Sequence, residues 1–538
     1  MEVAAPAPAA GGTRRRPAGW TAAAVLVAVL VAGPLLALPA SFVGQGAALH
    51  QIGAALLPEA LRASLVLAAG VGAGTLLLGG SLAALVSFWD FPGRAWLDWA
   101  LVLPMAMPAY VLVFVLLGQY DRVPQVRSTL GTVVVLTLVL YPYVYVLGRS
   151  AFLGQSRQAL EAARTLGLSY GAAVRRVALP LARPALAGGV ALAVMEALAD
   201  FGAVNLLGYR ALTDAIYRVW YGTFDRAGAL QLATVLVALS LSLVVLERLL
   251  RGRARYHQAL ARGQAVVPRR LHGPAAWLAA GLPALLLAAV VVAPLAQLLV
   301  WAVAAAGRGA STGALLRAAV NSLLLALIAA VLVVVAATVV AYGQRVRPSR
   351  AGAIAARASA LGYAVPGTVV AVAVYVPLAW LDRRVGWLVL TGTMAGLVVA
   401  YVVRFHGVGL AAIEARMQRV DPALDEAARS LGADRSRVLA EVHLPLLWPG
   451  IATAALLVFV EVMKELPATA LLRPLGGDTL AIAVWEATKD SRFDTAALPA
   501  LLIVAAGLVP VIVAARLAHG GPLERALALP RDGDAPAG

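Results

Sequence analysis

Runs of about twenty apolar residues recur along the whole chain, and a helix of that length spans the ~30 Å hydrocarbon layer of a bilayer. About twelve such runs are read. The first six lie near 20–43, 62–88, 97–118, 129–148, 186–207 and 228–247, and the second six near 276–303, 318–342, 358–380, 387–404, 451–472 and 496–516. Within lipid every backbone N–H and C=O needs an internal partner, which makes these runs helices. Prolines inside them, such as Pro104, Pro108, Pro366 and Pro510, mark expected kinks. Composition agrees, with 61% hydrophobic and 13% charged residues, against about 25% charged in soluble domains.

The two sets of runs are a parallel repeat. Glu161 and Glu426, Gly167 and Gly432, Pro180 and Pro445, Glu196 and Glu461, and Trp220 and Trp485 all stand 265 positions apart. Upstream the offset is 258, pairing Ser64 with Ser322 and Pro108 with Pro366, which implies an insertion around 412–420. Trp20 and Trp277 open the first run of each set. The expected fold class is therefore all-α, a polytopic membrane protein with about twelve transmembrane helices in two pseudo-symmetric six-helix bundles. The domains read as a disordered cytoplasmic tail at 1–19, a first bundle at 20–247, a basic cytoplasmic linker at 248–275, a second bundle at 276–516 and a tail at 517–538. The first run is longer than a signal-peptide core, so it is expected to remain as a helix.

The formal net charge of +17 fits Lys and Arg gathered on cytoplasmic loops. No basic stripe interleaves with aromatics, which argues against a nucleic-acid partner. The chain has no cysteine, excluding disulfides, thiolate metal sites and iron–sulfur clusters within it. His50, His257, His272, His406, His443 and His519 are scattered without metal-ligand spacing, and read as loop or interface residues. His443 is the one with a candidate partner contact. The only lysines, Lys464 and Lys489, follow no glycine-rich phosphate loop. Nothing marks an enzyme, a resident metal or a bound cofactor, so any ATP that drives the protein is hydrolysed elsewhere.

The polar interruptions are the informative stretches. One runs Glu161-Ala162-Ala163-Arg164-Thr165-Leu166-Gly167 and reaches Leu179-Pro180, and the other runs Glu426-Ala427-Ala428-Arg429-Ser430-Leu431-Gly432 and reaches Leu444-Pro445. Ser156 or Asp421 caps a short helix, with Pro422 at its first position. Gly167 or Gly432 ends it. Ser169 or Asp434 caps a second short helix, and the chain is expected to break before the proline. Each copy thus reads as a compact knob on the cytoplasmic side. A plain connecting loop is the rival reading, which duplication at one spacing disfavours.

This pattern resembles the cytoplasmic signature of membrane permeases of binding-protein-dependent ABC importers, over about residues 20–516. The resemblance implies that each loop couples the permease to one subunit of an ATPase dimer. The implied coupling positions are Glu161, Ala162, Ala163, Gly167, Leu179 and Pro180, with Glu426, Ala427, Ala428, Gly432, Leu444 and Pro445. Two loops in one chain resemble the fused permeases. Met195–Gly202, Ala215–Trp220 and Glu461–Thr469 resemble ferric-iron importer permeases, with a thiamine or other small-solute permease as the alternative. The resemblance also implies a bacterial inner-membrane, multi-pass location, lipid contact, and a periplasmic binding protein that delivers substrate to outer loops near 208–227 and 473–495.

Charges inside the apolar runs mark a second candidate site: Glu196 and Asp200 in one half, Glu461, Lys464 and Glu465 in the other. Such groups face a bundle interior or water and need partners. They read either as acids lining a translocation path for a cationic or metal-bearing substrate, or as an ion-pair network locking the halves. A secondary transporter with parallel six-helix repeats is the rival of another class. The duplicated knob disfavours it.

Overall fold

The computed structural model describes residues 19–42, 56–120, 125–155, 157–251, 267–307, 312–346, 348–387 and 389–519. Nearly all of the expected tails, most of the linker and the Ser156 cap lie outside these residues. Ten helical elements are defined here in the first half. They are α1 (Gly19–Ala40), α2 (Leu56–Phe88), α3 (Arg94–Ala106), α4 (Ala109–Tyr120), α5 (Thr129–Leu153), α6 (Arg157–Thr165), α7 (Tyr170–Ala199), α8 (Gly202–Leu206), α9 (Leu212–Gly222) and α10 (Arg226–Arg251). The second half repeats them in order as α11 (Pro274–Gly307), α12 (Thr312–Val346), α13 (Arg350–Ala364), α14 (Gly367–Val385), α15 (Met394–Met417), α16 (Pro422–Ser430), α17 (Arg435–Met463), α18 (Pro467–Leu472), α19 (Leu480–Lys489) and α20 (Phe493–His519).

Among the described residues ten helices are long and apolar enough to cross a membrane, or eleven if the pair α3 and α4, bent by 86°, is one span. The difference from about twelve lies in the third run of each half. The chain breaks there at Pro108 and again at Pro366, the register-matched prolines. A proline has no N–H and its ring clashes with the preceding turn. α14 also ends in Asp382, Arg383 and Arg384, which leaves its apolar stretch short of ~20 residues.

Three further expectations are corrected. The chain does not break before Pro180 or Pro445. Leu179 and Leu444 keep helical dihedrals, and π turns at Val174–Ala178 and Leu439–His443 carry α7 and α17 through. Widening the turn relieves the ring clash with the carbonyl four residues back. The fifth runs, 186–207 and 451–472, are not continuous spans: α7 ends at Ala199 and α17 at Met463. The outer segments 208–227 and 473–495 are not simple loops. Their helices α9 and α19 are buried, with Leu212, Ala215, Ile216, Leu480, Ala481 and Ile482 in the core.

Each half closes on the other. α1 packs on α12 and α13 of the second half, with Trp20 edge-on to Tyr342 at 4.9 Å. Reciprocally, Trp301 of α11 meets Phe114 of α4 at 5.6 Å. Trp220 contacts Tyr375 of the second half at 4.9 Å, and Trp485 contacts Phe201 of the first at 5.7 Å. The insertion expected around 412–420 is not there. α15 has 24 residues against 25 in α5, and the two start 265 positions apart, whereas α14 has 19 residues against 12 in α4, so the extra residues of the second half lie in α14. α10 extends to Arg251, past the expected boundary at 247. The end of the linker returns to the first half as a short parallel strand pair, β1 (Trp89–Asp90) with β2 (Arg269–Arg270).

Candidate functional site: paired knobs and a charged central cavity

The knobs are built from α6 with the first turn of α7, and α16 with the first turn of α17. Gly167 and Gly432 take φ of +89° and +87°, a left-handed conformation open to glycine without strain. Ser169 Oγ accepts from the Ala172 N–H at 3.4 Å. Asp421 accepts from Ala423 at 2.9 Å, and Asp434 from Arg437 at 2.8 Å. The Arg437 N–H, with the Ser436 hydroxyl, holds the Asp434 carboxyl below its ordinary range.

Glu161, Ala162, Glu426 and Ala427 are exposed, Ala163 is buried and Ala428 is half-buried. Leu179, Pro180, Leu444 and Pro445 lie on the following helices, beyond the π turns, and not on the knobs. His443 is fully buried against Asp425 and Tyr342, so it does not offer the surface contact expected of it. His406 is likewise a buried helix residue. The sequence reading passed over Leu166 and Leu431. They sit just before the turn glycines and are 85% and 89% exposed. Two large apolar side chains at matched tips of polar knobs are the pattern of a contact awaiting a partner.

The intramembrane charges converge. Glu196, Asp200, Glu461, Lys464 and Glu465 line one cavity of about 120 Å³, together with Tyr110, Tyr143 and Arg404. Glu461 pairs with Lys464 at 2.8 Å, and Glu465 pairs with Arg404 at 3.3 Å. A second cavity of about 390 Å³ shares Met105, Tyr143, Glu461 and Lys464 with the first. It extends to Asp98, which accepts from Tyr145 and Arg149. Arg404 was missed because it falls at the end of an expected span. Its signal was a lone cation between two apolar stretches.

Asp200 and Glu465 also explain the helix breaks. Asp200 Oδ1 accepts from the Ala203 and Val204 N–H groups at 2.9 and 3.2 Å, and Glu465 Oε1 from Ala468 at 3.0 Å. A helix that starts inside a membrane leaves orphan N–H groups, and here a carboxylate satisfies them beside a polar cavity. The repeat continues outward: Leu212 N–H donates to Ser64 Oγ at 2.9 Å, and Leu480 N–H to Ser322 Oγ at 2.8 Å.

Two stretches, 76–256 and 334–519, match the family of binding-protein-dependent transport system inner membrane components. Each holds one knob and one set of the cavity acids. The chain belongs to this family. The permease is 27% identical to the Fe(3+)-transport system permease protein FbpB 2 of Haemophilus influenzae, over 93% of this chain and 98% of that protein. It is 25% identical to the probable ABC transporter permease protein y4fN of Sinorhizobium fredii, over 81% of this chain and 84% of that protein. It is 34% identical to a probable molybdenum ABC transporter permease protein of Haloferax volcanii, over 31% of this chain and 65% of that protein. The permease is thus a multi-pass inner-membrane component with two copies of the family's domain in one polypeptide.

Proposed function

We propose that this permease forms the translocation path of a ferric-iron importer. A separate ATPase dimer grips α6 and α16, at Glu161, Ala162, Ala163 and Gly167 and at Glu426, Ala427, Ala428 and Gly432. ATP is bound and hydrolysed on that partner, and this chain holds no cofactor. Closure of the dimer moves both knobs, and α7 and α17 continue unbroken from the knobs to the cavity acids. A knob displacement therefore reaches Glu196 and Glu461 along two rigid helices. A periplasmic binding protein delivers the cargo. Within the segments 208–227 and 473–495, the described surface open to it is the set of turns near Thr223–Asp225, Pro474–Gly476 and Lys489–Arg492, since α9 and α19 are largely buried.

The observation that carries the iron reading is the near full-length likeness to a ferric-iron permease, joined to a cavity with four carboxylates. Hard trivalent iron favours oxygen donors. The cations Arg404 and Lys464, with the partial likeness to a molybdenum permease, favour an oxyanion as the second reading.

Uptake of labelled ferric iron, molybdate and thiamine into cells lacking this gene and then complemented separates these cargoes. Iron alone is expected to depend on the gene, and molybdate dependence with no iron dependence overturns the iron reading. Replacing Gly167 or Gly432 with valine is expected to weaken ATPase co-purification and uptake. Intact association and uptake in both variants sink the coupling assignment. Uptake that follows a proton or sodium gradient without ATP selects the secondary-transporter class.

A further inference from the structure

Hydrogen bonds flank both knobs, including that from the Tyr170 hydroxyl to the Phe88 carbonyl at 3.0 Å beside the first, but one matched position within each knob is fixed to the permease body by different chemistry. In the first, Leu160 and Ala163 of α6 are buried in the same apolar core as Phe152, Ala173 and Ala178. In the second, no residue of α16 is buried. The position 265 after Leu160 is Asp425, whose carboxylate meets Arg345 Nε at 2.9 Å and His443 Nε2 at 2.7 Å. Ala178 corresponds to His443, and Ser87, 258 earlier, corresponds to Arg345. The apolar anchor of one half is therefore a polar triad in the other.

The last turns of α12 complete the second anchor. Arg345 Nη1 donates to the Val420 carbonyl at 2.9 Å, just before α16, and the Tyr342 hydroxyl donates to the Arg435 carbonyl at 2.6 Å, just after the turn. One helix end thus holds the knob before, within and behind α16. Charge-assisted hydrogen bonds among partly desolvated groups depend more strongly on geometry than apolar packing does.

We propose that Asp425 is the positioning residue of the second knob, held by Arg345 and His443, and that the two knobs transmit the motion of the ATPase through anchors of unequal stiffness. This rests on the coupling role proposed above. Asp425 itself need not touch the ATPase. It sets the angle at which Leu431 and the exposed face of α16 are offered.

The cysteine-free chain allows a single spin label at Leu166→Cys or Leu431→Cys in the full-length permease, reconstituted with its ATPase. Asp425→Ala is expected to raise label mobility at position 431 at least twofold, leave position 166 unchanged, and lower ATPase affinity about tenfold. Asp425→Asn, which still accepts from His443, is expected to recover part of both. Leu160→Ala is the mirror control, loosening 166 and not 431. An unchanged label at 431 in Asp425→Ala, or equal loosening at both positions, overturns the proposal. Selective loosening at 431 with full ATPase binding and uptake keeps the anchor but removes the coupling role on which it rests.

Discussion

The indole N–H of Trp485, in the second half, donates to the side-chain oxygen of Asn205, in the first, at 3.1 Å. Asn205 in turn donates to Asp214 at 2.8 Å, so the seam bond continues into a polar chain on the first-half side. Trp485→Phe keeps the ring packing against Phe201 and removes only the donor. It is expected to cost about 1 kcal/mol of thermal stability in detergent. Asn205→Ala also removes the bond to Asp214 and should cost more by itself, and a double-mutant cycle by melting isolates the part shared with Trp485.

The tips of the knobs carry the next expectation. Leu166→Ala and Leu431→Ala remove apolar surface that folding does not use, so the isolated permease should melt unchanged. Binding of the ATPase should weaken, since buried apolar anchors at interfaces are often worth more than about 1 kcal/mol. About a fivefold or larger loss for each, measured by titrating ATPase onto permease in nanodiscs, is the expected result.

Arg404 and Glu465 form a nearly buried pair, with side chains 14% and 4% exposed. Arg404→Ala leaves the carboxylate facing a low-dielectric wall and is expected to destabilise by about 3–5 kcal/mol. Arg404→Met with Glu465→Gln should recover much of that loss, because removing both charges removes the uncompensated one. Thermal melting of the three variants checks the order.

Acid is expected to loosen the second knob before the first. Asp434 has its folded pKa lowered by the Arg437 N–H and Ser436 hydroxyl. Its stabilising effect is therefore complete above the unfolded value of about 3.9 and is lost as pH falls through the lower folded value. Ser169, its counterpart, does not titrate in this range. Labels at positions 431 and 166, compared between pH 6 and pH 3, should separate, and Asp434→Ser should bring the two knobs together.

The repeat made most of the architecture legible. The offset of 258 already paired Ser64 with Ser322 and Pro108 with Pro366, and the structure gives each pair one job. Glycine at 167 and 432 announced a left-handed turn, and it is there. Apolar run length was a weaker guide. It measures what a segment can bury, not where the chain turns, so by run length α8, α9, α18 and α19 read as span ends and outer loops. The backbone at Asp200 and Glu465 is released from helix because each carboxylate caps the short helix after it, α8 or α18, an effect invisible to hydropathy. Proline rules also overreached at Pro180 and Pro445, where a π turn supplied the room. Arg404 was hidden at the edge of an apolar run.

The charged cavity has a consequence for stoichiometry. Its acids come in matched pairs, Glu196 with Glu461 and Asp200 with Glu465, while both cations, Arg404 and Lys464, come from the second half, where the first has Val139 and Ala199. Two copies of the first half would surround the cavity with four acids and no cation. Two copies of the second would surround it with four acids and four cations, a formal balance of zero. The single chain carries four acids and two cations, a formal charge of −2. Only unlike halves reach that intermediate value, and joining them in one polypeptide fixes it in every assembled pore.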